Sequence, residues 1–339
     1  MTGILLLGIA HGLSDAAAGF AVGVLLQRSS AEGGLLIFIY NGLAFGLQPI
    51  AGLVLDGLKQ AQRGAALGLI LTVIGLAVFW LNPRLGILLI GFGSAFFHAG
   101  AGAVSILNSP GKASGPGVFA AFGVIGLVIG THLSFTYALS MTTYFAVGLI
   151  ILAIVVMFIR SSPYKSAGNF ELSSGLEIPV ILIVMAFALR SFVWTGIDRA
   201  VDSLTNIALF IGFSAGIGKL VGGFLSDRIG WLKWSFISLI GAALLLAFAR
   251  DLVIPLLIGI FLLQSVTGLT ISWLGRMLPD SPAFAAALAL GAAVIVGGLP
   301  FAFTNGNWFG WTAILISLPV SLIGYWLSLR EKVEKTVMN

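Results

Sequence analysis

The chain has 339 residues, of which 59% are hydrophobic and only 9% charged, against about 25% charged in a soluble domain. Mean hydropathy is +1.10. Seventeen Lys and Arg against twelve Asp and Glu give a net charge of +5, but these charges fall in short breaks between apolar runs. They read as topology signals, not as a nucleic-acid surface. The absence of cysteine excludes disulfides, thiolate metal sites and thiol catalysis.

A spanning helix needs about 20 mostly apolar residues. Such runs occur at 3–27, 34–56, 64–82, 84–107, 117–138, 142–160, 177–197, 203–227, 232–249, 252–275, 281–303 and 307–329. The first has no basic leader or small-residue cleavage site and reads as a retained helix. The expected fold is an all-α membrane protein of twelve spans in two six-helix bundles. Residues 1–160 form the first bundle. A Ser-, Gly- and Pro-containing cytoplasmic linker covers 161–176. Residues 177–339 form the second bundle with a short basic tail. With both termini cytoplasmic, eleven basic residues lie inside, among them Lys59, Arg63, Lys112, Arg160, Arg228, Lys233 and Arg276. Four lie outside (Arg28, Arg84, Arg199 and Arg250), so this orientation in a bacterial-type inner membrane is the expected one.

The second and eighth spans end alike. Gly52-Leu-Val-Leu-Asp56-Gly57 is followed by Lys59 and Arg63, and Gly223-Phe-Leu-Ser-Asp227-Arg228-Ile-Gly230 by Lys233. The aspartates are 227 − 56 = 171 residues apart, half the chain, which implies two structural repeats. Each carboxylate sits at a helix C-terminus, where the macrodipole disfavours an anion. Each should therefore seek a cation or the N-terminus of another helix, and the fifth and eleventh spans begin on the same side. Gly52 and Gly223, one turn earlier, allow close helix approach. Such a contact exists only while that side is closed. Gly52, Asp56, Arg63, Gly223, Asp227 and Arg228 are thus candidates for conformational gating.

This pattern resembles the signature loop of the major facilitator superfamily, Gly-x-x-x-Asp-Arg-x-Gly followed by basic residues. The second copy carries all four motif residues, and the first has Gly57 where arginine is usual. More locally, His11-Gly-Leu-Ser-Asp15, Phe97-His98 and Leu189-Arg190-Ser191-Phe192 resemble the fosmidomycin-resistance-like efflux branch. The resemblance implies secondary transport by alternating access, with spans one, four, seven and ten lining a central cavity and three, six, nine and twelve facing lipid. It also favours efflux.

Charges near the bilayer centre are costly and mark function. Asp15 and Arg190 lie near the middle of the first and seventh spans, with His98 and Gln264 at similar depth in the fourth and tenth. Asp15 is the candidate proton-coupling residue, with His11 one turn away to relay or share the proton. The alternative is a static Asp15–Arg190 ion pair. Arg190 is the candidate grip for an anionic group, Trp194 its aromatic wall or a belt residue, and His98, Gln264 and Lys219 further substrate contacts. Lys219 lies eight residues before Asp227, about 12 Å deeper. An alternative set, His11, Asp15 and His98, with His132 in the same half, matches transition-metal ligation. The run Gly123-x-x-Gly126-x-x-x-Gly130 in the fifth span resembles the superfamily's antiporter motif. Pro49 and Pro300 are candidate kinks.

Gly216-Ile-Gly-Lys219 fails as a phosphate-binding loop because Phe213 and Leu220 occupy its required positions. No nucleotide or cofactor site and no nucleophile–base pair is expected, and hence no enzyme. The expected partners are protons, the bilayer and a small polar or amphipathic solute bearing an acidic group. No nucleic acid is expected, and the chain is expected to be a monomer. A divalent-metal carrier is one alternative; a lipid scramblase or a non-transporting receptor on the same scaffold is another.

Overall fold

The computed structural model describes residues 1–28, 31–135, 138–164, 175–200, 206–303 and 309–337, without side-chain detail beyond 328. Twelve helices are long and apolar enough to cross a membrane, and no strand occurs among the described residues. In the first half they are α1 (Thr2–Gln27), α2 (Ala31–Leu58), α3 (Ala61–Phe79), α4 (Pro83–Leu107), α5 (Ser114–Leu133) and α6 (Ser140–Phe158). In the second they are α7 (Glu177–Asp198), α8 (Asn206–Ile229), α9 (Trp231–Phe248), α10 (Val253–Met277), α11 (Pro282–Phe301) and α12 (Trp311–Ser328). Each coincides with an expected apolar run, with ends moved by a few residues. Of the linker at 161–176, residues 165–174 lie outside the described residues.

Buried apolar side chains gather in two clusters. One runs from Ile4 to Ile159 and borrows Ala283 and Ala287 from α11; the other runs from Val180 to Tyr325 and borrows Ala113 and Ala120 from around the start of α5. The two borrowed segments are where the halves interlock. Within its most apolar 18-residue stretch α4 is 78% buried, α10 67% and α1 61%, whereas α6 is 22% buried. The helices that carry midplane polar residues are therefore inside. Helix α6 turns Ile150, Ile151, Ile154 and Phe158 outward, as a lipid-facing helix must.

The helix pair α1–α5 is packed through glycine. A Cβ on Gly126 would fall on the backbone carbonyl of Gly12, and one on Gly130 on the carbonyl of Ala16. Backbone cannot retreat as a side-chain tip can, so Gly126→Ala is expected to destabilise the protein by about 1–3 kcal/mol, the usual cost of overpacking. A lowered thermal unfolding temperature of the purified variant checks this. The fifth-span glycine run thus serves close packing against α1.

Three spans are irregular at depth. Helix α2 has a π turn at Gly42–Gly46 and α11 one at Leu288–Ala292, and these face each other across the two halves. Proline lacks an N–H and its ring crowds the carbonyl four residues earlier. For Pro49 that carbonyl belongs to Phe45, inside the π turn, so this kink follows from the proline. In α11 the irregular turn precedes the expected kink: Pro300 lies within the helical stretch Ala293–Ala302. The irregularity instead surrounds Gly291, whose missing Cβ lets the Phe45 carbonyl and Gln48 approach. Helix α10 breaks at Ser265 and Val266, directly after Gln264. Irregular backbone at membrane depth is tolerated only where protein or water covers it, so the break marks an interior position.

Candidate functional site

His11 and Asp15 share one face of α1 because residues four apart in a helix are stacked. The His11 Nε2 atom lies 3.2 Å from Asp15 Oδ2. Helix α4 delivers His98, whose Nε2 lies 3.5 Å from Asp15 Oδ1 and 2.9 Å from His11 Nε2. The two imidazoles are buried, with His11 3% and His98 5% exposed, and Asp15 is half-buried at 14%. Gly123 of α5 makes room for the His11 ring, since a Cβ there would strike it.

The outer ring nitrogens settle the tautomers. His11 Nδ1 lies 2.9 Å from the Phe119 carbonyl, and His98 Nδ1 lies 2.7 Å from the Ser94 carbonyl. A carbonyl only accepts, so both Nδ1 atoms carry hydrogen and donate. In two neutral rings both Nε2 atoms then present lone pairs toward each other and toward the Asp15 carboxylate. Three acceptors cannot hydrogen-bond one another, so the cluster needs a cation between them. A single shared proton meets that requirement.

The second half contributes positive charge. Arg190 of α7 is 4% exposed. Its Nη1 donates to Gln264 Oε1 at 2.6 Å and its Nη2 to Ser191 Oγ at 3.1 Å, while its Cζ lies 3.9 Å above the Phe187 ring. Its Nε is buried without a partner. No ion pair joins Asp15 and Arg190; the carboxylate is engaged by the two imidazoles and the guanidinium by neutral groups. The Lys219 ammonium on α8 lies within Coulombic reach of Arg190, Asp15 and His98 and so connects the two clusters electrostatically.

A cavity of about 240 Å³ lies between the halves on the side away from the termini. Helices α1, α2, α4, α5, α7 and α8 line it, and Asp15 and His98 are its deepest members. Trp194 and Asp198 of α7 and Tyr40 of α2 also line it. Trp194 therefore faces the interior. Arg190, one turn nearer the termini, does not line this cavity.

The termini side is closed. Asp56 at the end of α2 accepts hydrogen bonds from the Ala283 and Phe284 N–H groups at 3.0 and 2.8 Å, in the first turn of α11. Asp227 at the end of α8 accepts from Ala113 and Ser114 N–H at 2.7 and 3.0 Å, where α5 begins. Each half's aspartate thus caps a helix of the other half, with anion and helix N-terminus in their favourable arrangement. Gly52 and Gly223 let these backbones touch: an added Cβ would come within 2.8 Å of the Ala283 and Ala113 carbonyls respectively. Tyr164, just beyond α6, faces Asp56, and burial together with that carboxylate holds its phenol above the ordinary tyrosine value.

Of the expected basic gating residues, Arg63 donates to Gln60 Oε1 at 2.9 Å and Arg228 lies exposed at its helix end. Arg276 of α10 does more at this face. Its Cζ stacks 4.0 Å over the Trp231 ring and its Nη2 donates to the Gly111 carbonyl at 2.6 Å, while the Trp231 indole donates to Asp227 at 3.2 Å. Nothing in the sequence pairs Trp231 with Arg276. Ser94 is different, since it precedes His98 by one turn and was within reach of the same spacing argument as His11 and Asp15. His132 stands apart from the cluster formed by His11, Asp15 and His98.

No protein-family model matches the sequence, and neither does any curated protein. Solved structures do match. A crystal structure of a variant of the E. coli fucose:proton symporter FucP has a TM-score of 0.69 at 17% identity, over 97% of this chain and 98% of that one. A crystal structure described as a major facilitator superfamily transporter, FucP, in the outward conformation has a TM-score of 0.73 at 15% identity, over the same shares. The chain has the major facilitator fold.

Proposed function

We propose that this chain is a proton-coupled secondary transporter of the major facilitator superfamily. In this reading it is not an enzyme, and it moves a small polar or amphipathic anion across the inner membrane by alternating access. The observation that carries this reading is Arg190. A guanidinium 4% exposed, with an unpaired Nε and no carboxylate partner among the described residues, bears a desolvation cost of several kcal/mol that its neutral partners offset in part and that an anion would offset further. Lys219 adds positive charge on this side, partly offset by Asp15; Gln264 accepts from Arg190, and Trp194 offers an aromatic wall on the cavity side. Opposite it, Asp15, His11 and His98 hold the site where a proton is taken up and released.

The fold carries the cycle. Bundles 1–160 and 177–339 rock about the midplane. The excess of basic residues on the termini side makes that side cytoplasmic, and the present state is then sealed inward and open outward. Proton coupling accords with the fucose:proton symporter that shares the fold, although a neutral sugar does not call for a buried guanidinium. The residues around Asp15, His98 and Arg190 that resemble the fosmidomycin-resistance-like branch favour efflux.

Arg190→Ala tests the reading. In thermal-shift titrations of the purified protein, anionic ligands should lose affinity on the order of 30-fold or more, the cost of removing one side of a buried charged contact, and neutral analogues about twofold or less. An equal loss for both classes would assign Arg190 a structural role and remove the anion from the proposal.

A further inference from the structure

We infer that His11, Asp15 and His98 form a three-ligand site for a divalent transition metal ion of the Zn²⁺ type, with its fourth coordination position open to the cavity. The donor separations are the first argument. Ligands held 2.0–2.1 Å from a tetrahedral zinc are about 3.3 Å from one another. Here His11 Nε2 and Asp15 Oδ2 are 3.2 Å apart, His98 Nε2 and Asp15 Oδ1 3.5 Å, and the two Nε2 atoms 2.9 Å. The two imidazoles reach different Asp15 oxygens; one ligand atom from each of the three residues lies within 4.8 Å of the others, so spreading of the rings and rotation of the carboxylate bring one oxygen and both Nε2 atoms onto a face of the tetrahedron.

The second argument is the outer shell. Metal-binding histidines donate their far N–H to a carbonyl or carboxylate, which fixes the ring and turns the other lone pair inward. Both imidazoles do this here, to Phe119 and to Ser94. The third argument is access: Asp15 and His98 line the cavity, so an ion and a fourth, exchangeable ligand can reach them. Two imidazoles and one carboxylate suit Zn²⁺, Co²⁺ or Ni²⁺ and not Mg²⁺ or Ca²⁺, which require oxygen donors. Among the described residues, the Lys219 amine and the neutral Tyr40 phenol are the other ionisable groups that interact electrostatically with this cluster. Lys219 opposes a dication and sets a ceiling on its affinity. A bound ion takes the place of the shared proton, so the site is inhibitory to proton coupling. It exists on the same geometry whether or not the chain couples transport to protons.

The test uses the detergent-solubilised full chain, free of any polyhistidine tag and stripped with chelator. Titration calorimetry with ZnCl₂ should show one saturable equivalent, and CoCl₂ should give the intense visible absorption of a four-coordinate Co²⁺ centre. His98→Ala and His11→Ala should each weaken binding at least about tenfold, as loss of even an outer-shell partner does, and quench the Co²⁺ band. His132→Ala should change neither. Asp15→Asn, nearly isosteric, serves as the ligand variant if either alanine variant fails to fold, and should also lose the band. Absence of a saturable equivalent, or binding and a Co²⁺ spectrum untouched by changes at positions 11, 15 and 98, overturns the site.

Discussion

Asp15→Asn is expected to reduce proton-driven flux in reconstituted vesicles to the level of protein-free vesicles, while exchange of solute without a gradient continues. The reason lies in the hydrogen bonds of the cluster. With a carboxylate at position 15, three acceptors converge and the site must capture a proton to be satisfied. An asparagine keeps one oxygen and replaces the other with N–H₂, which donates to the one Nε2 it faces, that of His11 or of His98, now 3.2 and 3.5 Å from Asp15 Oδ2 and Oδ1 respectively. The neutral amide neither titrates nor supplies the negative charge that holds a proton beside the two imidazoles, so the cluster loses the proton it would exchange with the cavity. The near-equal volume leaves the α1–α4 packing intact, so the variant should purify with an unchanged melting profile. Flux driven by an imposed pH gradient in vesicles, measured beside gradient-free exchange, separates the two functions. Coupled flux equal to the unaltered protein's would remove Asp15 from the mechanism.

Depth in the membrane was legible in the sequence, and azimuth was not. Hydropathy placed Asp15, His98, Arg190 and Gln264 at one level because each sits near the middle of a long apolar run. Contacts at that level and on the termini side were also accessible. His11 meets Asp15 through helical spacing alone, and the cost of an anion at a helix C-terminus directed Asp56 and Asp227 toward the N-termini of α11 and α5, where their hydrogen bonds run. An Asp15–Arg190 pair was equally compatible with depth, yet the rotation of α1 turns Asp15 to His98 and that of α7 turns Arg190 to Gln264. Rotation is fixed by packing: Gly12 and Ala16 dock into the glycines of α5, and this sets which face of α1 looks at α4. The π turns show the same limit. Pro49 betrays the one in α2, but the one in α11 answers to the close approach of Gly291 to α2, a contact 243 residues away (291 − 48) that no local pattern encodes.

Removing either interlocking aspartate should shift the protein away from the state sealed on the termini side, and Asp56→Ala should do so more than Asp227→Ala. A hydrogen bond to a charged group is worth about 1.5–3 kcal/mol net. Each carboxylate accepts two from backbone N–H groups of the opposite half, so alanine removes about 3 kcal/mol at the lower figure. That is on the order of 100-fold in the ratio of sealed to open protein, enough to bring a population of about 99:1 to near parity. Asp56 is 9% exposed whereas Asp227 is open to solvent, so water replaces the lost partners at α5 more readily than at α11. The Trp231–Arg276 stack also remains to hold the second contact. Because the chain contains no cysteine, Ile106→Cys supplies a single reporter at the point where α4 packs on Gly275 of α10. Its rate of modification by a soluble thiol reagent follows the open fraction. The rate should rise steeply in the Asp56→Ala background and less in the Asp227→Ala background, with melting behaviour showing that both remain folded. A rate unchanged by both substitutions would mean that these bonds close no gate, and that the two Gly-x-x-x-Asp segments merely terminate their helices.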